Sequence, residues 1–117
     1  MKDTEAIKLL ATEFEACQKI LTALGDEVRQ HLILQMMFHG TDCNGMRVPE
    51  ITEMTHLSRP AVSHHLQILK DAGIVKMRRE GTMNYYYFAS DNSIEKLIAT
   101  LQHADEIIKA LPDRSGE

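Results

Sequence analysis

Long apolar runs are missing from this chain, and with them the usual signal of a membrane-spanning helix. The nearest approach in its 117 residues is Leu32–Leu34, which Gln35 interrupts before Met36–Phe38, whereas a spanning helix needs about 20 apolar residues. The charged start, Met1–Glu5, lacks the short apolar run and small-residue cleavage site of a secretory leader. We therefore expect a cytoplasmic protein.

Cysteine is scarce: the chain has only Cys17 and Cys43. Two cysteines are too few for a secreted disulfide framework or a four-cysteine zinc site. Cys17 falls on the apolar stripe of a predicted helix, which favours a core role, and the charge of Asp42 disfavours a thiolate at its neighbour Cys43. Thiol-based redox sensing stays open as an alternative.

A surplus of positive charge is also missing, because the formal net charge is -4. The distribution is uneven, however: residues 58–80 hold five basic and two acidic side chains, and both flanking segments are acidic. Such a basic middle is typical either of a local nucleic-acid-facing surface or of an ordinary solvated face.

The length suits one domain, residues 1–117, and leaves no room for a second, catalytic one. His39, Asp42 and Cys43 resemble a nucleophile with a base, but they cluster in one predicted loop without an oxyanion-hole glycine pattern. We expect no enzyme.

Helical periodicity dominates the first forty residues. Apolar residues at three- and four-residue steps predict a helix over 5–24, and Asp26 is placed to cap a second helix that ends near Gly40. The apolar side of this second helix is predicted from Val28, Leu32 and Met36. Residues 40–47 have the composition of a loop.

A short helix, a tight turn and a second capped helix follow. Pro49 suits the first turn of a helix to about residue 56. Ser58 is a natural N-cap for the next helix, and Gly73 can end it in a left-handed conformation. The pattern predicts a helix-turn-helix.

The period then changes towards two, which indicates strands. The runs 74–80 and 84–88 flank the break at 81–83 and predict a hairpin, or wing. At this period Tyr86 and Phe88 face one side, opposite to Tyr85 and Tyr87, and packing beneath the wing is favoured over base stacking for most of them. Finally, Asn92 with Glu95 predicts a helix that Pro112 ends after residue 111.

Three stretches together resemble the ArsR family: Leu21–Arg29, Leu57–Leu69 with its Ser-x-x-x-Val-Ser-His-His-Leu pattern, and Gly73–Gly81. The likeness extends in order over roughly residues 15–110. It implies a mainly α fold with a small β-hairpin, a winged helix-turn-helix of about five helices. It also implies a homodimer built from the first and last helices, and repression of a promoter that an effector releases.

The resemblance places the DNA contacts on the second helix of the motif. These residues are Ser58, Arg59, Ser63, His64, His65 and Gln67. For Ser58 the alternative is capping alone, for His65 burial against the preceding helix, and for Gln67 and Lys70, which we also include, simple solvation. Arg78 and Arg79 precede the hairpin turn, where at least one is expected to contact the backbone or minor groove.

The metal sites of ArsR relatives are incomplete in this chain. Residues 48–55 contain no cysteine, and His103 and Glu106 lack a histidine partner near Asp91. We expect no metal and no cofactor, and a solvent-facing His103. The sequence predicts a DNA-binding transcriptional regulator whose partners are an inverted-repeat operator in double-stranded DNA, a second copy of itself and an unknown effector. The alternatives are a metal- or thiol-responsive repressor of the same fold and a winged-helix protein-interaction module.

Overall fold

A computed structural model describes residues 4–40 and 45–112. These residues form six helices and one antiparallel pair of strands, in the order α1 (Thr4–Ala16), α2 (Gln18–Leu24), α3 (Glu27–His39), α4 (Val48–Thr55), α5 (Arg59–Asp71), β1 (Lys76–Glu80), β2 (Met83–Tyr87) and α6 (Ile94–Ala110). The predicted fold class, mainly α with a small hairpin, is confirmed.

The first predicted helix is broken at Cys17, so the expectation of one helix over 5–24 is wrong. The Cys17 amide donates to the Phe14 carbonyl, a three-residue step that tightens the chain between α1 and α2. The thiol is fully buried and lies 3.5 Å from the Thr100 hydroxyl of α6, as its predicted core role requires. Before the break, α1 packs on α6. After it, α2 packs on α3, α5 and α6.

The inner face of α3 also differs from the prediction. Asp26 caps the helix as expected, accepting from the Arg29 amide at 2.9 Å. Val28, however, is 41% exposed, whereas Arg29 is only 7% exposed and shares the buried side with Leu32. The charged side chain of Arg29 can occupy the buried side because its guanidinium donates hydrogen bonds to backbone carbonyls of α2.

The predicted helix-turn-helix is present as α4 and α5. His56 ends α4 in a left-handed conformation, and the Ser58 hydroxyl accepts from the Ala61 amide to cap α5. Val62, Leu66 and Leu69 bury one face of α5 in the core. Gly73 follows α5 with a φ of +79°, and a Cβ there would lie 3.1 Å from that of Ser93, so glycine is required at this turn.

The wing is shorter than predicted, because Ile74 and Val75 are buried core residues that precede β1. Pairing runs from Lys76 opposite Tyr87 to Glu80 opposite Met83. A further antiparallel bridge joins Met46 to Tyr86, each amide donating to the other's carbonyl at 2.8 Å. The predicted loop 40–47 therefore ends by attaching to the wing. Asp42 and Cys43 lie outside the described residues.

The last helix starts two residues later than predicted, with Ser93 in the N-cap position. Asn92 still contributes, since its side-chain oxygen accepts from the Ile94 amide at 2.9 Å. Among the residues described, no helix is both long enough and apolar enough to cross a membrane.

Candidate nucleic-acid interface

The outer face of α5 is polar and accessible. Because Val62, Leu66 and Leu69 point into the core, the opposite side of α5 points away from it. The exposed residues on this face are Arg59, Ser63, His64, Gln67 and Lys70. An α-helix with such a face fits the major groove, where these side-chain types can hydrogen-bond base edges and phosphates.

Ser58 stands at the start of this face with its hydroxyl already engaged in capping. The Oγ–N distance to Ala61 is 3.2 Å, and the residue is exposed. A hydroxyl has two acceptor lone pairs and one donor, so capping and a phosphate contact are compatible.

His65 differs from its neighbours on α5. It is half-buried, and its Nδ1 lies 3.3 Å from Nη1 of Arg29 on α3. Burial, and then the charge of Arg29, lower the pKa of His65 below its usual value. The structure thus brings His64 to the surface and turns the ring of His65 towards the body of the protein.

Gln67 and Lys70 extend the outer face towards the end of α5. The Gln67 side-chain amide donates to Asp71 Oδ1 at 2.9 Å. This contact draws Gln67 along its own helix, and Lys70 stays exposed beside it.

The two wing arginines have different surroundings. Arg78 is half-buried, donates from Nε to Glu80 at 2.8 Å and lies 4.9 Å above the centre of the Tyr85 ring. Arg79 is exposed, and its Nε donates to the Gly81 carbonyl at the hairpin turn at 3.0 Å. The turn contact directs Arg79 along the tip of the wing, while Glu80 and Tyr85 hold Arg78 closer to the sheet.

The remaining basic residue of the wing is neutralised. Lys76 Nζ contacts both carboxylate oxygens of Asp91, at 3.0 and 3.1 Å, and the hydrogen bond from Lys76 lowers the pKa of Asp91. Among the aromatic residues of this segment, Tyr86 and Phe88 lie against the core as predicted, whereas Tyr85 lies under Arg78.

Two of the residues considered as metal ligands, His103 and Asp91, are paired with other side chains. His103 Nδ1 is 2.7 Å from Glu13 Oε1 on α1, so His103 is not the solvent-facing residue expected from the sequence. Asp91 pairs with Lys76. Within residues 4–40 and 45–112, no three His, Cys, Asp or Glu side chains gather as a metal site would need.

Two features of the site were missed from the sequence: the Arg29–His65 contact and the Met46–Tyr86 bridge. The position of Arg29 gave a usable signal, since residues 29, 32, 33 and 36 share one side of α3. The Met46–Tyr86 bridge could not be predicted in this way, because a single pair of residues produces no periodic pattern in the sequence.

Comparisons with known proteins agree with this geometry. The family described as "Bacterial regulatory protein, arsR family" matches residues 32–77, from α3 into the wing. An HTH-type transcriptional regulator of Methanocaldococcus jannaschii is 38% identical over 91 residues, which are 76% of this chain and 98% of that protein. The HTH-type transcriptional repressor SmtB of Mycobacterium tuberculosis is 33% identical over 92 residues. That match covers 79% of this chain and 64% of SmtB.

Solved structures share the fold. The homodimeric winged helix-turn-helix DNA-binding domain of a possible ArsR-family regulator from Mycobacterium bovis is 29% identical and superimposes with a TM-score of 0.57. That alignment covers 89% of this chain and 92% of the other. The chain therefore belongs to the ArsR family and is a winged helix-turn-helix transcriptional regulator.

Proposed function

We propose that this regulator acts as a homodimer that binds an inverted-repeat operator in double-stranded DNA and represses the adjacent promoter until an effector releases it. The observation that supports DNA binding most directly is the exposed polar face of α5, which the wing follows in the chain with Arg79 exposed beside its turn. The M. tuberculosis relative is itself named a repressor, which supports repression over activation.

Base reading is assigned to the middle of α5. Ser63 and His64 are exposed on the face opposite to the buried leucines and have short side chains that hydrogen-bond base edges. Arg59, at the amino end of α5, pairs with guanine or phosphate. Ser58, Gln67 and Lys70 border this centre and contribute backbone contacts.

The wing supplies contacts that do not depend on sequence. Arg79 is exposed at the hairpin tip, where a guanidinium can follow the phosphate backbone or enter the minor groove. Arg78 supports the hairpin through Glu80 and Tyr85 and is the weaker contact of the two.

Dimerisation is supported by the apolar surface of the outer helices. α1 has no buried residue, and α6 buries only Leu97 and Thr100 among its 17 residues. Large apolar side chains that stay exposed on this pair of helices are Ile7, Leu9, Ile98, Leu101 and Ile108. The Cα radius of gyration is 18.1 Å, whereas a compact chain of this length has about 13 Å. A second copy on α1 and α6 would cover this surface with two-fold symmetry.

Selection of bound DNA from a random pool tests operator binding. The expected product is an inverted repeat, because two copies of α5 related by a two-fold axis read two half-sites. Recovery of a single, non-repeated site would contradict the dimeric mode. Failure to enrich any DNA, with a folded protein, would contradict DNA binding and favour the protein-interaction alternative.

Sedimentation of a charged variant tests the dimer interface. Ile108 is 63% exposed, and Ile108→Glu places a carboxylate at the proposed contact in both copies. Loss of two buried isoleucines raises the dimer dissociation constant by at least about 100-fold. Leu34, on α3, is 61% exposed, and Leu34→Glu is the matched control that we expect to stay dimeric. A dimeric Ile108→Glu protein would place the interface elsewhere.

A further inference from the structure

Arg29 is a buried cation surrounded by acceptors from two other helices. Its Nε donates to the Ala23 carbonyl at 2.9 Å and its Nη2 to the Thr22 carbonyl at 3.0 Å. Both carbonyls belong to the last turn of α2, where a helix leaves its carbonyls without internal partners. Arg29 therefore joins the end of α2 to the start of α3.

The third contact of this guanidinium is with α5. Its Nη1 lies 3.3 Å from Nδ1 of His65. A guanidinium only donates hydrogen bonds, so Nδ1 must act as the acceptor. Nδ1 accepts only when the imidazole is neutral and carries its proton on Nε2.

We propose that Arg29 positions α5 for DNA binding through a hydrogen bond to neutral His65, so that operator binding requires an unprotonated His65 in each protomer. This inference rests on the proposed function and gives His65 a positioning role in place of a base contact. His64 and Ser63 lie directly before His65 on α5, so the rotation of α5 that the contact fixes also sets where these two side chains point.

The charges around His65 support a link between its protonation and its contact with Arg29. Arg29 and Asp26 face it from α3 and its N-cap, His64 adjoins it on α5, and α2 contributes only carbonyls to the cluster. Burial and Arg29 lower the pKa of His65, while Asp26 raises it and His64 lowers it further. Protonation would place a second cation beside Arg29 and remove the acceptor. Asp26 Oδ2 is 3.9 Å from the guanidinium, too long for a strong charge-assisted hydrogen bond.

Nitrogen-15 NMR of the histidine side chains tests the contact without DNA. We expect the free protein to show His65 as the Nε2–H tautomer at neutral pH, with a pKa below the usual value of a histidine side chain. A His65 in the Nδ1–H tautomer, or one whose pKa is at or above the usual histidine value, would overturn the inference. This result is independent of whether the chain binds DNA.

Operator titration as a function of pH tests the consequence. Below the pKa of His65 each wild-type protomer must release a proton to bind, so affinity falls by up to about tenfold per pH unit and protomer. His65→Asn keeps an acceptor near the position of Nδ1 but does not titrate. We expect its operator affinity to be within about threefold of wild type at neutral pH. We also expect this variant not to lose affinity at acid pH as the wild-type protein does. His65→Leu, which has no acceptor, should bind at least about tenfold more weakly at neutral pH.

His31→Asn, on the exposed side of α3, is the matched control and should keep the wild-type pH profile. Circular dichroism and sedimentation establish that each variant is a folded dimer. An identical acid loss in wild type and His65→Asn would overturn the inference, as would a folded His65→Leu that binds like wild type. Absence of operator binding by the wild-type protein at every pH would refute the proposed function instead, and the NMR result would still decide the Arg29–His65 contact.

Discussion

The salt dependence of DNA binding distinguishes the two wing arginines. Arg79 is exposed at the hairpin tip, whereas Arg78 is half-buried between Glu80 and Tyr85. We predict that Arg79→Ala removes one phosphate contact in each protomer of a dimer. The slope of log affinity against log salt concentration is about -0.9 per neutralised phosphate, so two lost contacts make the slope shallower by about 1.8.

This change is large enough to measure. Between about 50 and 200 mM salt, the wild-type protein should lose about tenfold more affinity than Arg79→Ala. Because phosphate contacts carry no base information, operator and scrambled duplex should be affected alike. Fluorescence anisotropy titrations at four or more salt concentrations give both slopes.

Two comparisons complete the design. Arg78→Ala should change the slope less than Arg79→Ala, and Lys8→Ala, on α1 and outside α5 and the wing, should leave the slope unchanged. An unchanged slope for a folded, dimeric Arg79→Ala would refute the phosphate contact. A selective loss of operator binding, with scrambled DNA unaffected, would instead assign base reading to the wing.

Three further predictions concern α5 and the side chains considered as metal ligands. Ser63→Ala and His64→Ala should each reduce the preference for operator over scrambled duplex by about 1–3 kcal/mol while nonspecific binding persists, and an unchanged preference in both would contradict their assignment. Ser58→Ala should lower the free energy of unfolding by about 1 kcal/mol in urea titrations through loss of the cap on Ala61, whereas Ser58→Asp should retain most stability but bind DNA more weakly because it brings negative charge to the phosphates. Zinc or a chelator should leave operator affinity unchanged, because Asp91 pairs with Lys76 and His103 with Glu13; a zinc-dependent shift that His103→Ala abolishes would show that these pairs open to bind metal.

Local chemistry made the helix-turn-helix and wing predictable. Ser58 and Gly73 mark the ends of α5 through capping and a left-handed φ, and both effects depend on residues adjacent in the chain. The hairpin likewise follows from two β-prone runs around Gly81, whose φ is +61°. These features need no knowledge of distant contacts.

The break at Cys17 could not be predicted in the same way. The apolar period continues through residues 5–24, so it cannot show that α1 packs on α6 while α2 also reaches α3 and α5. Nor could periodicity identify the partners of Arg29, since these are carbonyls of α2 and His65, 36 residues away. For the interface, the sequence predicted the exposed residues of α5 and left His65 open between a DNA contact and burial, and the structure shows His65 half-buried against Arg29.

The absence of buried side chains on α1 affects how such regulators can diverge. Substitutions at the exposed positions of such a helix change the stability of the protomer little. In the dimer that we propose, they change instead how well one α1 and α6 pair fits another. In the proposed dimer, paralogous copies in one cell can therefore become mutually exclusive in pairing while the helix-turn-helix and its operator stay the same, because partner choice depends on α1 and α6 and sequence reading on α5.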